Sequence, residues 1–299
     1  MKKFLKSIFL FFILLFLLDK GFCFFLNEAP KKEYDKRLER VLEGKLNKDI
    51  IIIGSSLGSG NIIAENIEKG TGLTTYNLSY QGADVGFQKF ILETLLKYNK
   101  PPKKVLMSID SPHAFLTSNL GTRYDRLVPL AKYNYINDEL IKLKRNNILS
   151  KVFCLGRIIP YHIRLKKQLA PALNPLTNHG SRPIIMEKAK KNLHEYSKST
   201  TYHKSEELKD KLAAFKSIQQ MCKEKNIELT FVFSPYYHQF NNGFYNRFKE
   251  LTTPNHNIFV YDTLNPIYKR SDSFYDESHL MHDSARIFTF ELVDFLNNN

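Results

Sequence analysis

Two stretches, far apart in the sequence, carry side chains that could perform nucleophilic chemistry together. Near the C-terminus, "YDESHLMH" places Asp276 three residues before His279, just ahead of an apolar segment with helical periodicity. Much earlier, "IIIIGSSLGSG" places Ser55 and Ser56 directly after four isoleucines. A serine hydroxyl becomes a nucleophile when an imidazole accepts its proton, and a carboxylate can orient that imidazole. The two stretches therefore supply the three residue types of an acyl-transfer site.

The serine loop has other interpretations. A Walker phosphate loop would need a lysine where Asn61 stands, and a dinucleotide-binding loop would need a third glycine where Ile63 stands. Because both loops lack the residue that would contact phosphate, phosphate binding is not the leading hypothesis. A plain helix cap remains open, with Ser55 or Ser56 accepting a backbone hydrogen bond and the glycines easing the turn.

The C-terminal pair also has structural alternatives. Asp276 could only cap the final helix, and His279 could be an ordinary surface histidine. A metal site could in principle use Asp276 and His279 with the neighbouring His282 and Asp283. No second group of ligands with suitable spacing occurs elsewhere in the sequence, so we expect no metal and no cofactor.

The elements that must position these residues follow from the hydrophobic pattern. Short apolar runs alternate with segments of helical periodicity, which predicts an α/β fold with a parallel sheet and helices on both faces. The carboxyl ends of parallel strands share one edge, where ligands of open α/β sheets bind. We therefore expect the serines and His279 at the same edge. The five predicted strands are "DIIIIG", "TTYNLSY", "KKVLMSID", "IELTFVFS" and "NIFVYDT".

The chain divides into three parts. Residues 1–26 predict a signal anchor or transmembrane segment, residues 27–48 a charged juxtamembrane linker, and residues 49–299 the α/β domain. Residues 111–208 interrupt the alternation of strands and helices, since they are rich in lysine and proline and show only helical or irregular patterns. We interpret them as an insertion between strands 3 and 4 that packs over one end of the sheet.

The N-terminal segment is basic and then strongly apolar. Ile8–Leu18 is an unbroken apolar run, and Phe4–Leu26 is long enough to span a bilayer with its charges near the ends. A cleaved signal peptide is the alternative, but Phe22 and Phe24 crowd the small residues of a cleavage site. We expect an uncleaved, single-pass anchor whose N-terminal lysines stay cytoplasmic while the rest of the chain is exported.

The charge and the cysteines limit the partners. The net charge of +14 is spread along the chain, which is typical of a solvated surface, although an anionic membrane or glycan is a possible partner. Nucleic acid is not expected, because no zinc-finger spacing or RNP-like motif occurs. Cys23, Cys154 and Cys222 show no paired spacing, and Cys23 lies in the apolar N-terminus. At most one disulfide is therefore expected in the globular part.

Three of these motifs resemble a known family. "IIIIGSS", "YNLSYQG" and "YDESHL" before a helix are similar to blocks of the SGNH/GDSL hydrolase superfamily, in particular its membrane-anchored, exported members in bacterial envelopes. The resemblance covers Asp49 to Asp110 and Ile227 to Phe295 but not the middle section. It implies a three-layer α/β/α domain of SGNH or flavodoxin-like type.

The resemblance also implies roles for particular residues. Ser56 falls on the nucleophile, and Asp276 and His279 match the final Asp-x-x-His block in full. Ser55 stands where many members have Asp. The backbone N–H groups of Ser56 and Gly82 would form the oxyanion hole.

The third block of the family departs from its pattern here. The family has Gly-x-Asn-Asp after the third strand, whereas this chain has "SIDSPHAF" with no Asn. Ser111 or His113 could replace the missing donor, but Asp110 could not donate a hydrogen bond while ionised. After the fourth strand, Tyr236 and His238 could stack on a sugar ring or simply pack the rim.

The function that the resemblance implies is transfer or removal of an acyl group. We expect a serine-dependent ester hydrolase or O-acyltransferase, O-acetyl in the first instance, that acts on a cell-surface polysaccharide, another envelope glycan or an acylated small molecule. The site would face outward from the bacterial cytoplasmic membrane. The alternative is a non-catalytic glycan-binding or assembly protein that keeps the fold.

Overall fold

The chain folds as two compact units. The computed structural model describes residues 1–110, 112–117, 122–164, 166–186, 193, 195–253 and 256–298. Met1–Glu39 and Arg123–Ala170 form one unit, here called the anchor unit, and Arg40–Thr122 and Pro171–Asn299 form the other, the sheet unit. The middle section that was expected as one insertion is thus shared, because residues 123–170 cluster with the N-terminal segment and residues 171–208 with the sheet.

The sheet unit contains five parallel strands in the order β2-β1-β3-β4-β5. The predicted α/β class and the parallel sheet of five strands are confirmed. All four residues of β1 are buried, as expected for an inner strand of a parallel sheet. The strands are β1 (Ile50–Ile53), β2 (Thr75–Asn77), β3 (Lys104–Ile109), β4 (Glu228–Phe233) and β5 (Asn257–Val260).

Among the described residues, α-helices connect the strands and form part of the anchor unit. They are, in chain order, α1 (Lys2–Glu28), α2 (Arg37–Leu42), α3 (Ser56–Asn61), α4 (Ala64–Thr71), α5 (Val85–Tyr98), α6 (Pro112–Phe115), α7 (Tyr124–Leu127), α8 (Asn134–Lys142), α9 (Pro160–Ile163), α10 (Lys209–Glu224), α11 (Asn242–Leu251) and α12 (His282–Asn297).

Side chains that alternate along the strands pack against different helices. Ile52, Leu106 and Val232 belong to one apolar cluster with residues of α4 and α12. Phe231, next to Val232, instead contacts Phe215 of α10 with ring centroids 5.4 Å apart. Burial of this apolar surface is the main source of stability for such a domain.

The segment after β1 forms two short helices. α3 ends at Asn61, and Ile62 and Ile63 are extended before α4 begins. The break frees backbone groups that other elements use. The carbonyl oxygen of Ile62 accepts hydrogen bonds from the side chains of Asn77 and Ser181 at 3.1 and 2.8 Å.

In the anchor unit, α1 is apolar and exposed over most of its length. Among the described residues it is the one helix long and apolar enough to cross a membrane, although a signal sequence would pass the same test. Cys23 of this helix forms a disulfide with Cys154. Cys222, in the sheet unit, is buried and free.

Candidate active site

The loop after β1 gives its two serines different environments. Ser55 is buried at the N-cap of α3, where its Oγ accepts a hydrogen bond from the Leu57 N–H at 3.4 Å and donates one to the carboxylate of Asp110. Ser56 is the first residue of α3 and is partly exposed, and its hydroxyl has no hydrogen-bond partner among the described residues. The loop therefore uses Ser55 for structure and leaves Ser56 available to a substrate.

A glycine in this loop is required by close packing. A Cβ on Gly58 would lie 2.5 Å from the Oγ of Ser79 and 2.9 Å from the Cβ of Ser108. Both contacts are too short for real atoms, so only glycine lets α3 approach the ends of β2 and β3 this closely. The glycines that sequence reasoning assigned to a turn thus also hold Ser56 against the sheet.

The bond between Ser55 and Asp110 spans the switch point of the sheet. The connection after β1 runs to β2 on one side, whereas the connection after β3 runs to β4 on the other side. A crevice forms at the carboxyl ends of such a strand pair, and ligands of doubly wound sheets bind there. Ser56, after β1, and Asp110, after β3, stand at this crevice.

The Asp110 carboxyl is buried at this crevice. Burial raises its pKa to about 7, and the hydrogen bond from Ser55 and the charge of His279 oppose the shift. The protonated form is therefore well populated near neutral pH, and it carries an O–H donor that the ionised form lacks. The protonated Asp110 could thus supply the donor that the ionised form cannot.

Replacing Asp110 with Asn should flatten the pH dependence of stability. The folded state keeps a proton that the unfolded state releases, so the wild type should lose stability as pH rises from about 4 to 7 and stay level above. The loss is a few kcal/mol at most, at about 1.4 kcal/mol per pKa unit. Urea unfolding at pH 5 and pH 8 measures it. Asp283→Asn, at an exposed carboxylate, serves as control, and equal slopes for Asp110→Asn and wild type would contradict the prediction.

The turn that contains Gly82 reaches the same edge. The Leu78 N–H donates to the Ile52 carbonyl at 2.8 Å and the Tyr80 N–H to the Gly54 carbonyl at 3.0 Å, so the pairing of β2 with β1 continues beyond the strands. Gly82 follows with φ of +70°, a conformation that favours glycine. Its N–H, like that of Ser56, has no hydrogen-bond partner among the described residues.

Asp276 and His279 form a hydrogen-bonded pair ahead of α12. The Nδ1 of His279 lies 2.8 and 2.9 Å from the two carboxylate oxygens of Asp276. The backbone N–H groups of Ser278 and His279 also donate to Asp276 Oδ1, each at 3.0 Å. Because α12 begins at His282 with Met281 at its N-cap, Asp276 closes the turn around His279 and does not cap that helix.

This arrangement sets the state of both side chains. Burial acts to raise the pKa of Asp276, but the hydrogen bond and the charge of His279, together with the backbone donors, hold it well below its usual range. An ionised Asp276 places the imidazole proton on Nδ1. The Nε2 of His279 has no hydrogen-bond partner among the described residues, so it is free to accept a proton.

Asn61, which sequence reasoning missed, connects the two halves of the site. Its side-chain Nδ2 donates to the Ser278 carbonyl at 3.1 Å, and its Oδ1 accepts from the Leu280 N–H at 3.0 Å. The amide therefore holds the residues on both sides of His279 against α3, the helix that begins at Ser56. In the sequence, the only sign of this role is that Asn61 directly precedes two isoleucines, Ile62 and Ile63.

Replacing Asn61 with Ala should lower activity and stability together. The Ser278 carbonyl and the Leu280 N–H would lose their partner in a buried site, which costs about 1–3 kcal/mol. If His279 is the base that activates Ser56, a shift of its ring by about 1 Å should slow reaction of Ser56 by roughly 10²-fold. Urea unfolding and the rate of labelling by a serine-reactive fluorophosphonate measure the two effects.

Asn66→Ala is the matched control, since the side-chain nitrogen of Asn66 on α4 is buried without a partner. It should change both quantities little. A loss of stability in Asn61→Ala with no change in labelling rate would contradict a role in positioning His279.

The other predicted residues lie at or beyond the described part of the site. Ser111 lies outside the described residues, and His113 belongs to α6 without a described side chain. The rings of Tyr236 and His238 stack with centroids 5.0 Å apart and line a cavity of about 20 Å³ with Asp110. Two of the residues predicted to bind substrate thus lie beside the crevice.

Neither a metal centre among the described residues nor a matching protein indicates the chemistry of the site. Among the described residues, no group of three His, Cys, Asp or Glu side chains is placed to hold a metal ion. No protein-family model matches the sequence, and no curated protein matches it either. The chemistry of the site therefore rests on the geometry of its own residues.

Proposed function

We propose that this protein is a serine-dependent acyl ester hydrolase or O-acyltransferase of SGNH type. One observation carries the proposal: an aspartate-oriented histidine, with its Nε2 free, is held by Asn61 against the helix that begins with a partly exposed serine. A general base, its orienting carboxylate and a hydroxyl are the parts that acyl transfer needs. That the domain has the three α/β/α layers of the SGNH fold is part of the same proposal.

The proposed reaction has two steps. Ser56 Oγ attacks the ester carbonyl while His279 Nε2 takes the hydroxyl proton, and the N–H groups of Ser56 and Gly82 hold the oxyanion. The imidazolium then protonates the departing alcohol, leaving an acyl-serine. Water or a sugar hydroxyl, deprotonated by the same His279, attacks the acyl-serine and restores the free Ser56. No cofactor takes part.

A polar groove supports a glycan as the substrate. A groove of about 600 Å³ is lined by side chains that include Thr200, Gln239, Asn242 and Asn246. It shares Phe240 and Asn241 with the small cavity beside Asp110. Amide and hydroxyl side chains with a neighbouring aromatic ring suit a hydroxyl-rich ligand. We propose an envelope polysaccharide that carries O-acetyl groups, reached outside the cytoplasmic membrane by a chain that α1 anchors.

The alternative is a non-catalytic glycan-binding or assembly protein. The same groove would serve it, and the crevice would then be a relic of the fold. Binding of a glycan without reaction of Ser56 with any electrophile would favour this alternative.

Labelling and product release test the proposal. The detergent-purified full chain should react with a serine-directed fluorophosphonate and should release acetate from an O-acetylated glycan. Acetate release with water alone identifies a hydrolase, and acetyl transfer to an added unacetylated glycan identifies a transferase. Absence of labelling and of both products, in a chain that still binds glycan, would overturn the enzymatic proposal.

A further inference from the structure

The part of α1 that precedes Asp19 is shorter than a full membrane span. The 15 residues from Phe4 to Leu18 rise about 22 Å along a helix, whereas the hydrocarbon core of a bilayer is about 30 Å thick. Asp19 follows directly, and a carboxylate at membrane depth is costly unless it is satisfied. The remaining thickness of about 8 Å must therefore be matched by α1 beyond Asp19, where Phe22 and Phe24 are exposed, and by the segments that lie beside it.

Backbone N–H groups of Cys154 and Leu155 provide hydrogen-bond donors for the Asp19 carboxylate. The Asp19 carboxylate is buried and accepts hydrogen bonds from the N–H groups of Cys154 at 3.0 Å and Leu155 at 2.8 Å. Lys20 pairs with it at 3.2 Å, and the disulfide from Cys23 to Cys154 joins the same two segments covalently. The segment around residue 154 must therefore accompany α1 to the depth at which the helix leaves the membrane.

This segment carries a row of exposed apolar side chains, here called the apolar face. They recur every one to four residues, are between 37% and 63% exposed, and adjoin a groove of about 420 Å³ lined by Leu15, Leu18 and Phe22 of α1 and by Leu149, Phe153 and Leu155. Nothing else in the anchor unit covers them among the described residues. The apolar face consists of Ile148, Leu149, Val152, Leu155, Ile159 and Ile163.

The charge around the apolar face is mainly positive, although Lys151 pairs with Asp138 at 3.0 Å. Between Leu140 and Ala170 the sequence has eight lysines and arginines and no aspartate or glutamate. Lys151, Arg164, Lys166 and Lys167 are exposed. Apolar side chains flanked by exposed cations are characteristic of surfaces that lie in the headgroup region of an anionic bilayer.

We propose that the apolar face is embedded in the outer leaflet of the membrane that α1 crosses, with anionic phospholipid as its partner. Surfaces of this kind sink about 5–10 Å below the headgroups, which matches the thickness of about 8 Å left beyond Leu18. The apolar face thus continues the membrane-contacting surface of α1 and holds the anchor unit against the bilayer. The inference is independent of the catalytic proposal and rests on the insertion of α1.

The absence of tryptophan from the sequence allows a direct test. The full chain is reconstituted into phosphatidylglycerol-containing vesicles with Leu149→Trp or Val152→Trp as the only tryptophan, and lipids brominated near the top of the acyl chain serve as quenchers. Leu15→Trp reports insertion of α1, and Leu264→Trp reports an exposed apolar position on the sheet unit. A side chain about 5–10 Å below the headgroups should lose at least about half its fluorescence to these lipids.

Each result supports or overturns the inference. The inference is supported if brominated lipids quench tryptophan at positions 149 and 152. This quenching should fall at least about twofold after Lys166→Glu/Lys167→Glu, while quenching at position 15 stays unchanged. Quenching of both positions by acrylamide alone, as at position 264, overturns it while the anchor stands. If the tryptophans at positions 149 and 152 emit at shorter wavelength and neither quencher lowers their fluorescence, protein covers the apolar face. That result also overturns the inference. If lipid does not quench the tryptophan at position 15, α1 is not inserted and the inference fails with it. The acyl-transfer proposal does not depend on this result.

Discussion

Ser56→Ala should abolish fluorophosphonate labelling and lower acyl-ester turnover by about 10³-fold or more, the range typical of removing a catalytic nucleophile. Ser56 has the available hydroxyl, since it is partly exposed and has no described hydrogen-bond partner. Its folding stability should change little, because no described hydrogen bond is lost. Intact-mass analysis of the labelled protein and acetate release measure the effect.

Ser55→Ala is the matched control one residue away. It removes a buried hydroxyl that bonds Asp110, so a loss of about 1–3 kcal/mol in the free energy of unfolding is expected. Labelling at Ser56 should persist, although the rate can fall as the start of α3 loosens. If Ser55→Ala prevents labelling and Ser56→Ala does not, the nucleophile is Ser55 and the assignment carried by the family resemblance is wrong.

Lys211→Met should destabilise the sheet unit by about 3–5 kcal/mol, the usual cost of breaking a buried ion pair by removing one partner. Lys211 and Asp84 are ion-paired with side chains only 8% and 2% exposed. The substitution would leave the Asp84 carboxylate buried without its countercharge. Urea unfolding of the full chain in detergent, followed by circular dichroism, gives the difference.

Two further variants show whether the stranded charge is the cause. Asp84 also caps α5 by accepting the Phe87 N–H at 2.7 Å, and a serine keeps that cap without a charge. Lys211→Met/Asp84→Ser should therefore recover most of the loss. Lys69→Met, which breaks an exposed pair with Glu65, should cost about 0.5 kcal/mol or less. A cost for Lys211→Met no larger than that for Lys69→Met would contradict the prediction.

Local patterns explain why the strands and the histidine pair were predictable. Most strands are short apolar runs between turn residues, and their length and flanking residues favour strands over buried helices in an alternating chain. Asp276 and His279 are three residues apart, so a single turn brings the carboxylate to Nδ1. Hydrogen bonds of this kind connect near neighbours in sequence, and residue types and spacing are enough to anticipate them.

Other features depend on which distant elements become neighbours. Asn61 meets the turn around His279 across more than 200 residues, and Cys23 meets Cys154 across 131. The packing that buries Asp110 raises its pKa to about 7. Spacing in the sequence carries no signal for any of these contacts, because each requires a particular arrangement of strands and helices.

The sequence by itself determined the α/β class, the five parallel strands, the apolar N-terminal helix and the residue types of the site. Tertiary structure alone decided the strand order, the placement of Ser55 and Asp110 across the switch point, and the separate environments of Ser55 and Ser56. The reason is physical. Hydrophobic periodicity specifies which face of an element is buried, whereas burial next to a particular donor or charge exists only after distant elements have packed together.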